Sequence, residues 1–348
     1  MPIGFSSDCF FRIKGVKYAV AAAAPRGAVG VPLLAWRGSM QIRRNDFDVT
    51  NRIQTTDSTA VHREVGRLFR LLYPGAAHGA MDRAFEDAAK IYAGLYPGYQ
   101  ACDTSYHNLQ HIMDVTLATA RLMDGYERSR NGTPALGVRF FQLGVIVGLF
   151  HDVGYLRQST DKTAKNGAEY TLNHVSRGAE FLRRYMPGIG MADCAEAAAE
   201  LIHFTGFEKR VADILVQDPV LRMVGSLLGS ADIIAQMSDR CYLEKCRDHL
   251  YAELVTGGLA VKKTTRGDEV IYQSGDDLVK KTPAFFEGAV HRLEHELGGA
   301  YNYAATHFGG FNLYMHAATK NVHFAKELGV QGGKSLRRAP PEQPGASA

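Results

Sequence analysis

Seven side chains able to ligate a metal recur through the middle of this sequence: His107, His111, the adjacent pair His151 and Asp152, then His174, His203 and Asp232. His107 and His111 are four residues apart, so on a helix they share a face and can address one point. The pair His151 and Asp152 ends the most apolar stretch, 136-LGVRFFQLGVIVGLFHD-152, and Asp232 lies inside another, 220-VLRMVGSLLGSADIIAQMSD-239. A carboxylate on a helix built for burial is costly unless compensated, and a bound cation supplies that compensation. Mixed imidazole and carboxylate donors suit Mn, Fe, Zn, Co or Mg. If His111, His151, Asp152, His174, His203 and Asp232 all ligate, two divalent ions are held with Asp152 between them; without His174 and His203, only one is held firmly. Plainer readings stand beside these: a polar helix face for His107 and His111, a surface position for His174 on the amphipathic 170-YTLNHVSRGAEFLRRY-185, and a core histidine for His203.

The elements that must position these groups are helices. The segment 61-VHREVGRLFRLLY-73 sets Val61, Val65, Leu68 and Leu72 on one side and is stopped by Pro74 and Gly75. A second helix is predicted over residues 80–92. A third, capped by Asp103, Thr104 or Ser105, carries 106-YHNLQHIMDVTLATARLM-123. The apolar run 136–152 reads as the central buried helix. Helices over 167–185 and 194–204 follow, parted by Pro187 and Gly188, with Asp193 and Glu196 placed as a capping box. A long helix is predicted from Pro219 to about Glu253, then a glycine-rich loop or short hairpin over 257–282, then a closing helical region over 284–327. Together these give an all-α helical bundle: residues 1–60 an N-terminal extension or arm, with short hairpin-like runs at 8–22 and 31–43; residues 61–254 the metal-binding domain; residues 255–330 a polar loop and aromatic-rich helical region completing it; and residues 331–348 a disordered tail.

The remaining composition narrows the function. Five cysteines without a CxxC pair argue against a disulfide framework and for a reducing, cytoplasmic setting. Forty Lys and Arg balance 36 Asp and Glu with little clustering, so no nucleic-acid polymer is implied, while a small anionic substrate is admitted. No stretch reads as a membrane span; the export-like residues 18–36 are broken by Pro25 and Arg26.

The quoted elements 107-HNLQH-111, 150-FHDVGY-155, 174-HVSRGAEFL-182, 201-LIHFTG-206 and 231-ADII-234 resemble the HD superfamily of metal-dependent phosphohydrolases over about 135 residues. The opening 106-YHNLQHIMDV-115 further resembles the corresponding helix of cyclic-nucleotide phosphodiesterases, and the later histidines resemble those of cyclic-dinucleotide enzymes. That likeness implies His107 as general acid, His111, His151, Asp152 and Asp232 as ligands of a first metal, and Asp152 as bridge to a second. It implies phosphodiester hydrolysis by a hydroxide bridging the two ions. The chain departs from the animal enzymes in Val153-Gly154-Tyr155, and from the cyclic-dinucleotide signature in Leu156 and in the single histidine at 203.

Further candidates around this site are Asn108, Asp114 as an acceptor orienting an imidazole, Lys209 as a phosphate contact (with a solvated surface cation as its plainer reading), and Gln236 for base recognition. The rings of Phe285, Phe286, Tyr301, Tyr303, His307, Phe308, Phe311 and Tyr314 either stack a nucleobase or pack the helical end against the domain. Two other chemistries use similar ligands: a mixed-valence di-iron oxygenase of the same superfamily, and a dNTP or phosphomonoester phosphohydrolase.

Overall fold

The computed structural model describes residues 42–130, 132–264, 267–330 and 335–342. Helix α3, Leu109–Arg128, is the axle of the unit that begins at Arg43. It packs against α1 (Ser58–Leu72), α4 (Gly137–Phe150), α7 (Pro219–Ser238) and α11 (Tyr303–His307). Almost every residue from Gln110 to Tyr126 is buried, polar ones included. The 136–152 run forms α4 as predicted, buried from Phe141 to Phe150, but the hub is α3. Its sequence looks less apolar because its buried Gln110, Thr119, Arg121 and Asp124 find hydrogen-bond partners inside and His111 faces a site.

Helix α2 (Gly79–Tyr92) lies on α4 and α1. The predicted 167–185 helix divides into a single 3-10 turn, Gly167–Tyr170, and α5, His174–Gly188, so His174 stands at a helix start. Helix α6, Ala195–Leu201, and a 3-10 turn over Ile202–Phe204 carry His203. Asp193 and Glu196 do not form a capping box, because Arg139 binds Asp193 and Arg183 binds Glu196.

The long helix predicted from Pro219 ends at Ser238. There the Asp239 carboxylate accepts the Cys241 N–H at 2.6 Å, and Asn321 donates to the carbonyls of Met237 and Asp239 at 2.9 and 2.7 Å. The chain resumes through α8 (Tyr242–Lys245), a π-helical turn (Cys246–Leu250) and α9 (Tyr251–Thr256). Among the described residues the one sheet is a hairpin of β1 (Val261–Thr264) and β2 (Gly267–Val270), with Val261 opposite Val270. Helices α10 (Gly275–His291), α11 and α12 (Leu313–Val330) close the unit. Helix α7 is the described helix long and apolar enough to cross a membrane, and most of it is buried inside the unit.

Residues 43–57, placed by the sequence in an arm, are bound to the axle. The buried Asp48 carboxylate accepts from Arg121 of α3 at 2.6 Å and from the N–H groups of Arg52 and Ile53, both at 2.9 Å. Residues 335–342 of the tail expected to be disordered are also pinned: Ala339 O accepts from Asn45 at 2.9 Å, and Arg338 N–H donates to Glu244 at 3.2 Å. Hydrogen bonds there outweigh a composition that reads as disordered. The export-like residues 18–36 and the hairpin-like runs at 8–22 and 31–43, but for residues 42 and 43, lie outside the described residues.

Candidate metal centre

The cap of α3 is Asn108, one turn later than the predicted Asp103, Thr104 or Ser105. Its Oδ1 accepts from His111 N–H at 3.2 Å and its Nδ2 donates to Ser105 O at 2.6 Å. Asn108 therefore sets the helix start, which places His111 in the first turn. His151 is the C-cap of α4, and Asp152 opens the 3-10 turn Val153–Tyr155. That break in the helix lets two adjacent side chains reach one point.

The donor atoms of His111, His151 and Asp152 converge. His151 Nε2 is 3.2 Å from His111 Nε2 and 3.2 Å from Asp152 Oδ2, and His111 Nε2 is 3.3 Å from the same oxygen. Metal–donor bonds of about 2.1 Å put neighbouring donors roughly 3.0–3.4 Å apart, so this triangle has the dimensions of one face of a coordination shell. Asp232 Oδ1 stands further out, 3.6 Å from His111 Nε2 and 3.9 Å from His151 Nε2. His151 Nδ1 lies 2.8 Å from Gly148 O, which as an acceptor fixes a hydrogen on Nδ1 and makes Nε2 the nitrogen that faces the cluster and would donate to a metal once deprotonated.

Asp152 needs a cation. It follows the C-terminus of an apolar helix, where the dipole opposes negative charge. Its Oδ2 is buried with no hydrogen-bond partner of acceptable geometry. Burial raises its pKa, but His151 and His111 outweigh burial and hold the carboxyl well below the usual carboxylate range. Burial likewise works against a charged His151, but the Asp152 carboxylate prevails and pushes that imidazole up to about 9. For His111 burial wins and the pKa is lowered. A buried His-His-Asp group with one orphaned carboxylate oxygen can hold a metal, and its imidazole and carboxylate donors fit one divalent ion.

His174 adds a third imidazole on the other side of Asp152, its Nε2 3.6 Å from Asp152 Oδ1. Its Nδ1 lies 2.8 Å from Thr171 O, and Tyr155 stacks on its ring at 4.3 Å. The approach depends on Gly154, since a Cβ there would stand 1.8 Å from His174 O. Arg177, one turn on, donates to Gly154 O at 2.7 Å and Leu156 O at 3.0 Å, locking the His-Asp turn to α5. Glu208 caps α5 by accepting from Val175 N–H at 2.8 Å.

His107 stands beside the cluster, its ring 5.7 Å from that of His111 and stacked on Tyr155 at 4.4 Å. Its Nδ1 is 2.5 Å from Glu253 Oε2, and the same carboxylate accepts from Tyr106 N–H at 2.5 Å. Burial opposes protonation of His107, but Glu253 more than offsets it and the pKa is raised. Glu253 was not picked out from the sequence. It is one acid among 36, and its only sign was a place between Ala252 and Leu254 in an apolar turn.

Other candidates fall elsewhere. His203 is buried with Nδ1 unpartnered; the charges that bear most on it are Lys209, Glu200, Glu208 and Arg183. Its donors do not join the converging group, so among the described residues one potential metal site stands where sequence spacing suggested two. Lys209 pairs with Glu200 at 3.4 Å. Asp114 faces Asp239, Lys245, Thr55 and Arg43 rather than an imidazole. Gln236 accepts from Tyr106 Oη–H at 3.2 Å, one turn from Asp232.

The aromatic C-terminal region packs the helical end. Tyr303 meets Tyr126 at 5.2 Å and Phe308 meets Tyr314 at 5.8 Å. Asn312 donates to Tyr301 O at 3.0 Å and accepts from Met315 N–H at 3.1 Å. Tyr303 lies at the Gly125 end of α3, about 21 Å from His111 at about 1.5 Å rise per residue, while Tyr314 lies nearer, bonded to Arg121. No family model, no curated protein and no solved structure matches this chain.

Proposed function

We propose that this chain is a metal-dependent phosphohydrolase of the HD type, cleaving a phosphodiester such as a cyclic nucleotide, in the cytoplasm. The observation that carries the reading is the division of Asp152: Oδ2 faces His111 and His151 at 3.3 and 3.2 Å, while Oδ1 faces His174 at 3.6 Å. A carboxylate shared in this way supports a second divalent ion beside the first, with His174 among its ligands. Divalent ions bound there would supply charge to stabilise the phosphoryl oxygens and lower the pKa of a water.

The chain's own residues then handle the proton. With Nδ1 donating to Glu253, His107 carries its transferable proton on Nε2, and the Glu253 charge keeps the imidazole protonated towards neutral pH. It gives that proton to the departing sugar oxygen. Glu253 and the Tyr155 stack hold the ring outside the ligand set. The cations nearby are already engaged, Arg177 with two carbonyls and Lys209 with Glu200. This favours a singly charged diester over a triphosphate. The position of His203 lends the six-ligand oxygenase no support.

The test is His107→Ala in Mn-loaded protein against cyclic mononucleotides, cyclic dinucleotides and simple diesters. Hydrolysis of alkoxide-leaving substrates should fall by roughly 10²–10⁴-fold with metal content unchanged. Equal loss of metal would make His107 a ligand, and iron-only, oxygen-consuming turnover would overturn the hydrolase reading.

A further inference from the structure

A second concavity, of about 580 Å³, lies at the other end of α3. Its walls are the 50–53 turn, α1, the C-terminal half of α3 and residues 307–308. Arg121 and Arg128 lie about 15 and 26 Å along the helix from His111, so the two sites share an element but no residue. Four guanidinium groups, Arg52, Arg67, Arg121 and Arg128, line it against one carboxylate, Glu64. The chain as a whole carries 40 Lys and Arg to 36 Asp and Glu, so this concentration is local.

The arginines differ in what already holds them. Arg67 is engaged by Glu64 through two bonds of 2.7 and 2.8 Å. Arg121 is fixed, only 2% exposed, donating to Asp48 at 2.6 Å and to Tyr314 at 2.9 Å, yet its buried Nε has no partner. Arg128 is held by Asp124 through Nε alone, at 2.9 Å, and its side chain is 47% exposed. The Arg52 guanidinium makes no hydrogen bond among the described residues; only its backbone N–H is bound, to Asp48. Two forks with donors to spare, Arg52 and Arg128, make the pocket acceptor-seeking, and the buried Arg121 forms the wall behind them. Guanidinium forks match phosphate oxygens in pairs. The Phe308 ring, 5.4 Å from the Arg121 guanidinium carbon, offers a partly exposed face beside them. The volume falls within the range of about 300–1,000 Å³ that encloses small ligands.

We propose that this cavity binds a phosphate-bearing small molecule of nucleotide size, its phosphates on Arg52 and Arg128 against the wall formed by Arg121, and its ring on Phe308. The site is independent of the metal centre. The test uses the full chain stripped with EDTA and titrated calorimetrically with ATP, pyrophosphate and citrate. ATP should bind one per chain, more tightly than either of the others and more weakly as salt is raised. Arg52→Gln and Arg128→Gln should each weaken it by about tenfold or more. In the unaltered protein, ATP should slow phenylglyoxal modification of Arg52 and Arg128, read by mass spectrometry, which needs no variant to fold. Absence of ATP binding in EDTA, citrate binding as tightly as ATP, or unprotected arginines would each overturn the assignment.

Discussion

Replacing Gly154 by Ala tests whether the second half of the site is built by close backbone approach. A methyl at that Cα would stand 1.8 Å from His174 O and 2.6 Å from His174 C, where real contacts stay above about 3.0 Å. Both neighbours are backbone, so the first turn of α5 or the 153–155 turn must retreat by about 1.2 Å. Such a retreat strains the Arg177 bonds to Gly154 O and Leu156 O and opens the gap between His174 and Asp152. Overpacking costs about 1–3 kcal/mol and a weakened charged hydrogen bond about as much again, roughly 2–5 kcal/mol together. At about 2–4 °C per kcal/mol, the melting temperature of metal-free protein should fall by roughly 4–20 °C. The His111, His151 and Asp152 triangle is not touched, so one divalent ion per chain should remain by elemental analysis after Mn loading. Any ion held through His174 should be lost. The control is Gly188→Ala: it lies in the same helix, and its Cβ would meet nothing within 4 Å. If Gly154→Ala melts with that control and keeps all its metal, close approach is not what this glycine serves.

Two further perturbations probe the buried charges. Glu253→Gln keeps an acceptor for Tyr106 N–H but removes the charge that raises the His107 pKa, so burial prevails; the alkaline limb of the kcat profile should move to lower pH and kcat should fall about tenfold or more, with KM and metal content steady, whereas loss of metal in parallel would make Glu253 a support for the ligands instead. Asp114, raised by burial and by Asp239 to about 7, keeps a proton in the folded state that the unfolded chain has released, so stability is lost as pH rises from about 4 through about 7, by at most about 4 kcal/mol. Asp114→Asn should remove that slope in urea unfolding at pH 5 and 8; an unchanged slope would show that Lys245 and Arg43 already neutralise the carboxylate.

Much of the architecture was legible because it rests on local signals. The α1 stop at Pro74 and Gly75, the apolar α4 and the break before the hairpin follow from composition alone. His111, His151 and Asp152 were singled out, with Asp232, by their places on apolar helices; the first three converge and Asp232 stands further out. What failed was reach. His203 sits in an apolar context and His174 in an amphipathic one, yet the turn at Gly154 brings His174 to Asp152, and that contact depends on a backbone packing distance no spacing rule contains. Glu253 was hidden for the same reason: it arrives through the π-helical turn Cys246–Leu250, 146 residues from the histidine it holds.

Asp114 shows why periodicity misleads on an axle. Three residues after His111, it belongs near the same stripe of a surface helix, where one side faces the core and the rest faces water. Helix α3 has no such water side. Neighbours surround it, and Cβ bonds tilt towards the N-terminus, so one turn separates the His-Asp cluster at its tip from the corner made by α7 and α8. A carboxylate there answers to Asp239, Lys245 and Arg43. The same enclosure makes α3 carry unrelated polar groups along its length: His111 of the His-His-Asp group at one end, Asp114 among buried charges one turn on, and the cavity-lining Arg121 and Arg128 towards the other. On a helix buried all round, the position along the axis, more than the angular position, decides which chemistry a polar residue joins.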